Sequence, residues 1–129
     1  MCGAADVEDL VKAERVQVIV DLRGEATECA YPEGNVHWVQ IALGDHASEN
    51  QHELLKEAAD EVVKAYREGN KVAFHCNGGR GRTGAVAVAT LIELGECKTI
   101  EEAEELAKTI RPVLNVKPAQ KTALQKLYP

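Results

Sequence analysis

The ten residues His75–Gly84, HCNGGRGRTG, constrain this chain more than any other stretch. They follow an apolar run, KVAF, and precede another, AVAVATLIEL, so a short strand must pass through a glycine-rich turn into a buried helix. Glycines there let successive backbone N–H groups point inward, and the helix N-terminus adds the positive end of its dipole. The result is an anion cradle. It is not the GxxxxGK[ST] nucleotide loop, whose lysine is absent, and although Gly79, Gly81 and Gly84 have GxGxxG spacing, a cysteine and two arginines are no part of that dinucleotide turn. What it holds instead is Cys76 at its mouth and Arg82 six positions on.

That pairing has a chemical reason. An ordinary thiol, with a pKa of ~8.5, is mostly protonated at neutral pH, and inward N–H groups, a helix dipole and a guanidinium all favour its thiolate. The same groups suit a phosphoryl group, whose oxygens match a planar arginine fork. Cys76 is then placed for in-line attack on phosphorus, with the Thr83 hydroxyl able to donate to its sulfur.

The rest of the chain reads as alternating strands and helices. Asp6–Glu14 has a helical apolar face, Val16–Leu22 is a β-branched run, and Val36–Leu43 is a second strand. Gln51–Glu68 carries Leu54, Leu55, Ala58, Ala59, Val62, Val63 and Tyr66 at helical spacing and is closed by Gly69. Lys71–His75 is a short central strand, and Thr83–Leu94 is apolar nearly all round, which predicts a buried helix. Thr99, with Glu102 three residues on, opens another helix that ends at Arg111-Pro112, and Pro118–Leu127 forms the last. This order predicts an α/β fold: a three-layer sandwich with a small, mainly parallel central sheet flanked by helices, as one domain over residues 1–129.

Composition narrows the partners. A net charge of −6 argues against nucleic acid, which needs a basic surface, and leaves the loop as a local cationic pocket in an acidic body. No apolar stretch reaches the ~18 residues of a membrane span, and MCGAADVEDL lacks the basic and apolar parts of a signal peptide. A cytoplasmic monomer is the expectation. Cys2, Cys29, Cys76 and Cys97 are widely spaced, without CxxC, and read as free thiols.

HCNGGRGRTG matches HCxxGxxR[ST], and the chain resembles the cysteine-dependent protein tyrosine phosphatases, in particular the small dual-specificity and archaeal-type members. The strand Val16–Arg23 and the segment Ile110-Arg111-Pro112 with Gln120 extend the likeness. The resemblance implies that Cys76 is the nucleophile and Arg82 the phosphate clamp. It further implies a substrate cradle of Asn77, Gly78, Gly79, Arg80, Gly81 and Arg82, support of the cysteine by His75, and assistance to the leaving thiolate by Thr83. The reaction would pass through a phosphocysteine, with no metal or organic cofactor. The family's general acid is an aspartate about thirty residues before the cysteine, and Asp45 lies 31 residues before Cys76, in LGDHASEN. His46 is its neighbour and a rival. Asp21 reads as a structural carboxylate paired with Arg23, and Gln120 is a candidate to position the hydrolytic water.

The implied substrate is a phosphorylated protein, phosphotyrosine first and phosphoserine or phosphothreonine beside it. Arg80, a second cation in the loop, raises a phosphoinositide or inositol phosphate as the alternative. A non-catalytic phosphate-binding module is a further alternative; a rhodanese-like sulfur transferase lacks this C-x5-R spacing. Cys2, near the terminus, carries little weight at this level, and His37, His52 and Trp38 have no partners at chemical spacing.

Overall fold

The computed structural model describes residues 1–24, 28–31, 36–43 and 51–129. Four strands form its sheet: β1 (Cys2–Gly3), β2 (Val18–Arg23), β3 (His37–Leu43) and β4 (Val72–Cys76). Their order is β1-β4-β2-β3, and every pairing is parallel, as the alternation of strand and helix predicts. Among the described residues five α-helices accompany them: α1 (Val7–Glu14), α2 (Gln51–Arg67), α3 (Gly81–Glu93), α4 (Ile100–Ile110) and α5 (Pro118–Leu127).

The period of two along each strand sorts the layers. Ile19 and Ala73 face α1, packing with Val7, Leu10 and Val11. Val20 and Leu22 face the other way, into the main core with α2, α3 and α5, including Leu55, Val62, Val86 and Leu124. Helix α4 backs α3 through Ala103 and Ala107. The predicted three-layer α/β sandwich is therefore present. Tyr66 departs from the predicted helix stripe: it is 62% exposed, because the α2 stripe that meets the sheet ends with Ala65.

Helix ends follow local chemistry. Gly69 adopts φ +85°, and the bonds from its N–H to the Tyr66 carbonyl and from Asn70 N–H to Ala65 close α2. Thr99 Oγ1 accepts from Glu102 N–H at 3.1 Å and starts α4. Pro118 opens α5, and Gln120 Oε1 accepts from Lys117 N–H at 2.9 Å.

One element was invisible in the sequence. Cys2 and Gly3 form β1, in register with His75 and Cys76, so the extreme N-terminus flanks the strand that ends in the cysteine. Cys2 is buried, in register with His75.

Candidate active site

Strand β4 delivers His75 and Cys76 to opposite faces of the sheet. Cys76 is its last residue, one beyond the predicted end, and α3 starts at Gly81, two residues earlier than predicted. Only four residues, 77–80, thus connect strand to helix, and they close tightly around the sulfur. Gly79 N–H donates to Cys76 Sγ at 3.2 Å, and Thr83 Oγ1 donates to it at 3.1 Å. The same Thr83 oxygen accepts from Cys76 N–H at 2.9 Å. Burial pushes the Cys76 thiol up, yet its net shift is downward: the Thr83 hydroxyl and the N–H groups of Thr83, Gly79 and Arg80 outweigh that penalty.

Gly79 is required by this geometry. Its φ is +72°, and an added Cβ would lie 2.5 Å from both the Gly3 nitrogen and an Arg111 side-chain nitrogen. Arg111 Nε donates to the Gly79 carbonyl at 2.9 Å, bracing the loop from behind. Gly3 approaches equally closely on the other side, and Ala4 N–H bonds the Asn77 carbonyl at 3.0 Å.

His75 is fully buried beneath the cysteine. Its Nδ1–H donates to the Cys76 carbonyl at 3.0 Å, which assigns the tautomer, and its Nε2 lies 3.8 Å from Asp21 Oδ2. Burial lowers the imidazole pKa, against the opposing pull of the Cys76 carbonyl and Asp21, so the ring is neutral at pH 7. Asp21 sits beside His75 because the two are register partners on neighbouring strands. Arg23 holds it through two guanidinium bonds of 2.9 and 2.8 Å, as the sequence predicts, and through its own N–H at 3.0 Å, and Trp38 Nε1 adds a fourth bond at 3.0 Å. Trp38 therefore has a partner that sequence spacing did not reveal. Burial raises the Asp21 pKa, but the Arg23, His75 and Trp38 contacts reverse the sign and hold it below the usual range.

Arg82 is 6% exposed, and its Nη1 donates to the Leu43 carbonyl at 3.2 Å. The clamp candidate thereby meets the end of β3, two residues ahead of Asp45 in sequence. Asp45 and His46 lie outside the described residues. Gln120 is buried behind the cradle, its side-chain amide against Gly81.

Residues 76–78 and 80–82 line a cavity of about 420 Å³. Two further lining residues come from the α4–α5 connection, Asn115 and Lys117. Sequence reading missed both, along with the brace from Arg111; their neighbourhood was visible only as part of the extended resemblance. A larger open cleft of about 710 Å³, bordered by Leu10, Tyr66 and Val72, contains none of the loop residues. Among the described residues no helix is long and apolar enough to cross a membrane.

This arrangement can hold a dianion against a buried, activated thiol. Comparison with known proteins adds the family and the fold. The family model for the dual specificity phosphatase catalytic domain matches residues 2–128. No curated protein sequence matches the chain. Among solved structures, Tk-PTP in the active form is 23% identical, with 99% of this chain and 87% of that one covered at a TM-score of 0.80. Human DUSP28 is 24% identical, with 97% and 82% covered and a TM-score of 0.80. PTPMT1 in complex with PI(5)P is 21% identical, with 96% and 83% covered and a TM-score of 0.77. These likenesses establish a shared fold.

Proposed function

This chain belongs to the dual specificity phosphatase catalytic-domain family, and we propose that it hydrolyses phosphomonoesters through a covalent phosphocysteine at Cys76. Phosphatase chemistry follows from the family. The residue roles rest on one observation above all: the sulfur that borders the cavity accepts from both Gly79 N–H and Thr83 Oγ1.

In the proposed reaction the phosphoryl oxygens are gripped by the amides of residues 77–82 and by the Arg82 guanidinium. The Cys76 thiolate forms the S–P bond as the P–O bond to the leaving group breaks, and Asp45 donates the proton that the departing oxygen needs. Water then attacks phosphorus, returning its proton to Asp45, and Thr83 donates to the sulfur as it leaves. His75 holds the Cys76 carbonyl and is a positioning residue. Gln120, packed against Gly81, is the candidate to orient the water.

The test is hydrolysis of p-nitrophenyl phosphate by purified protein in the presence of a chelator. Turnover should vanish in Cys76→Ser and fall about 100-fold in Asp45→Asn. Folded protein that binds phosphate without turning over any phosphomonoester would instead support a non-catalytic binding module. Phosphotyrosyl and phosphoseryl peptides of one sequence, assayed side by side, test the protein-substrate reading taken from sequence.

A further inference from the structure

We propose that the outer edge of β3 pairs with the same edge of a second copy, antiparallel about a two-fold at Val39. The chain would then form a dimer in place of the monomer expected from its sequence. The inference is independent of the phosphatase reading.

The first observation is hydrogen-bonding capacity. Strand β3 ends the sheet: β2 pairs with one side of it and, among the described residues, no strand pairs with the other. His37 N–H donates to the Gln17 carbonyl, just ahead of β2, at 3.0 Å. Alternation along the strand then turns the N–H and C=O groups of Trp38 and Gln40 outward. Beyond Gln40 the register slips, with Arg23 opposite Leu43, so the regular edge covers residues 37–41, HWVQI. The second observation is that nothing in those five residues repels a neighbouring strand. Exposed edges are ordinarily blunted by charge or proline. HWVQI has no Lys, Arg, Asp, Glu or Pro, in a chain that is 28% charged. Its apolar side chains are also incompletely covered. Val39 packs on the main core and Trp38 on the α1 side, and both remain half-buried at the open edge.

The third observation is that this stretch complements itself. With the two-fold at Val39, Trp38 faces Gln40 of the copy, and the two exchange both backbone bonds. Val39 meets Val39 of the copy in the closely spaced pair, about 4.5 Å between Cα atoms, and His37 faces Ile41. No like charges oppose each other, and the closest contact joins two β-branched side chains. Beside the edge, Glu61, Lys64 and Glu68 of α2 border a recess of about 130 Å³ with His37 and Val39, so the flank carries both signs of charge. A closed two-fold is the commonest symmetry of self-association, and a single strand pair makes a small, weak interface. The interface adjoins the candidate site, because β3 ends in Leu43, whose carbonyl accepts from Arg82.

The experiment is sedimentation of the purified chain from about 1 to 300 µM, the range in which small interfaces associate. The wild-type mass should rise from one chain toward two. Gln40→Pro removes an outward N–H at a position where an edge strand tolerates proline, and should weaken the dimer at least about tenfold. Its urea midpoint checks that the monomer still folds. Register is tested separately by cross-linking in a glutathione redox buffer. Closely spaced antiparallel partners match disulfide geometry, so Val39→Cys should cross-link through residue 39 of both copies, identified by peptide mapping. His37→Cys, which faces Ile41, should not. If Gln40→Pro fails to fold, the cross-linking contrast decides alone. A wild type that stays monomeric over the whole range would overturn the proposal, as would a dimer unmoved by a folded Gln40→Pro. Equal cross-linking of Val39→Cys and His37→Cys would overturn it too. A monomer that binds an added HWVQI peptide would give the edge to an extended segment of another protein, and so also overturn the second copy.

Discussion

Thr83 has one hydroxyl proton and two acceptors within reach, Cys76 Sγ at 3.1 Å and the Cys2 carbonyl at 3.4 Å. A thiolate is the stronger acceptor, so the proton goes to sulfur whenever Cys76 ionises. Thr83→Ala removes the largest of the contacts that lower the Cys76 pKa. Alkylation of Cys76 by iodoacetamide should then titrate at higher pH than in the wild type, with Thr83→Ser restoring the original midpoint. An unmoved titration would contradict the role. Gly79 makes a second prediction at this scale. Alanine there meets both a left-handed φ and backbone at 2.5 Å, so Gly79→Ala should cost about 1–3 kcal/mol or more, read as a lower urea midpoint. An unchanged midpoint would mean that the loop relaxes without loss.

Among the elements, the α4–α5 connection does most to shape the loop from outside. Arg111 Nε bonds the Gly79 carbonyl, and a lysine cannot reproduce that directed donor. Arg111→Ala should lower kcat/KM for p-nitrophenyl phosphate about tenfold through kcat while the urea midpoint shifts little. Equal loss of stability and activity would make Arg111 simply structural. Here too lies the boundary of what the sequence reveals. Helices α2 and α4 were legible because apolar spacing, Gly69 and Thr99 are local signals, and the loop was legible because its chemistry is contiguous from His75 to Gly84. Strand β1 was not, since two residues, one a glycine, carry no periodicity; it exists only because β4 offers it an edge. Asn115, Lys117 and Arg111 reach the loop through contacts some 32–37 residues apart, which no local pattern encodes. Trp38 on Asp21 is the same case, set by strand register.

For the whole molecule, the charges beneath the site couple its shape to pH. His75 is buried neutral with a lowered pKa, so the unfolded chain binds its proton first. Stability therefore declines as pH falls through the unfolded value of about 6.5. Asp21, whose folded pKa is depressed, adds stability above about pH 3.9 that is lost only as pH falls through its lowered folded value. The urea midpoint should accordingly drop between pH 7.5 and 5.5, and the drop should be smaller in His75→Asn, which lacks the titrating ring; equal slopes would contradict the assignment. All of this serves one claim, that the sheet, the loop and the acidic body hold an activated Cys76 as a phosphoryl acceptor. The direct measurement is rapid mixing with p-nitrophenyl phosphate, acid quenching and mass spectrometry of the peptides, with chelator present. The account predicts a pre-steady-state burst and a phosphoryl group on the peptide containing Cys76, both absent from Cys76→Ser. Steady turnover with no phosphorylated Cys76, or an active Cys76→Ser, would contradict it.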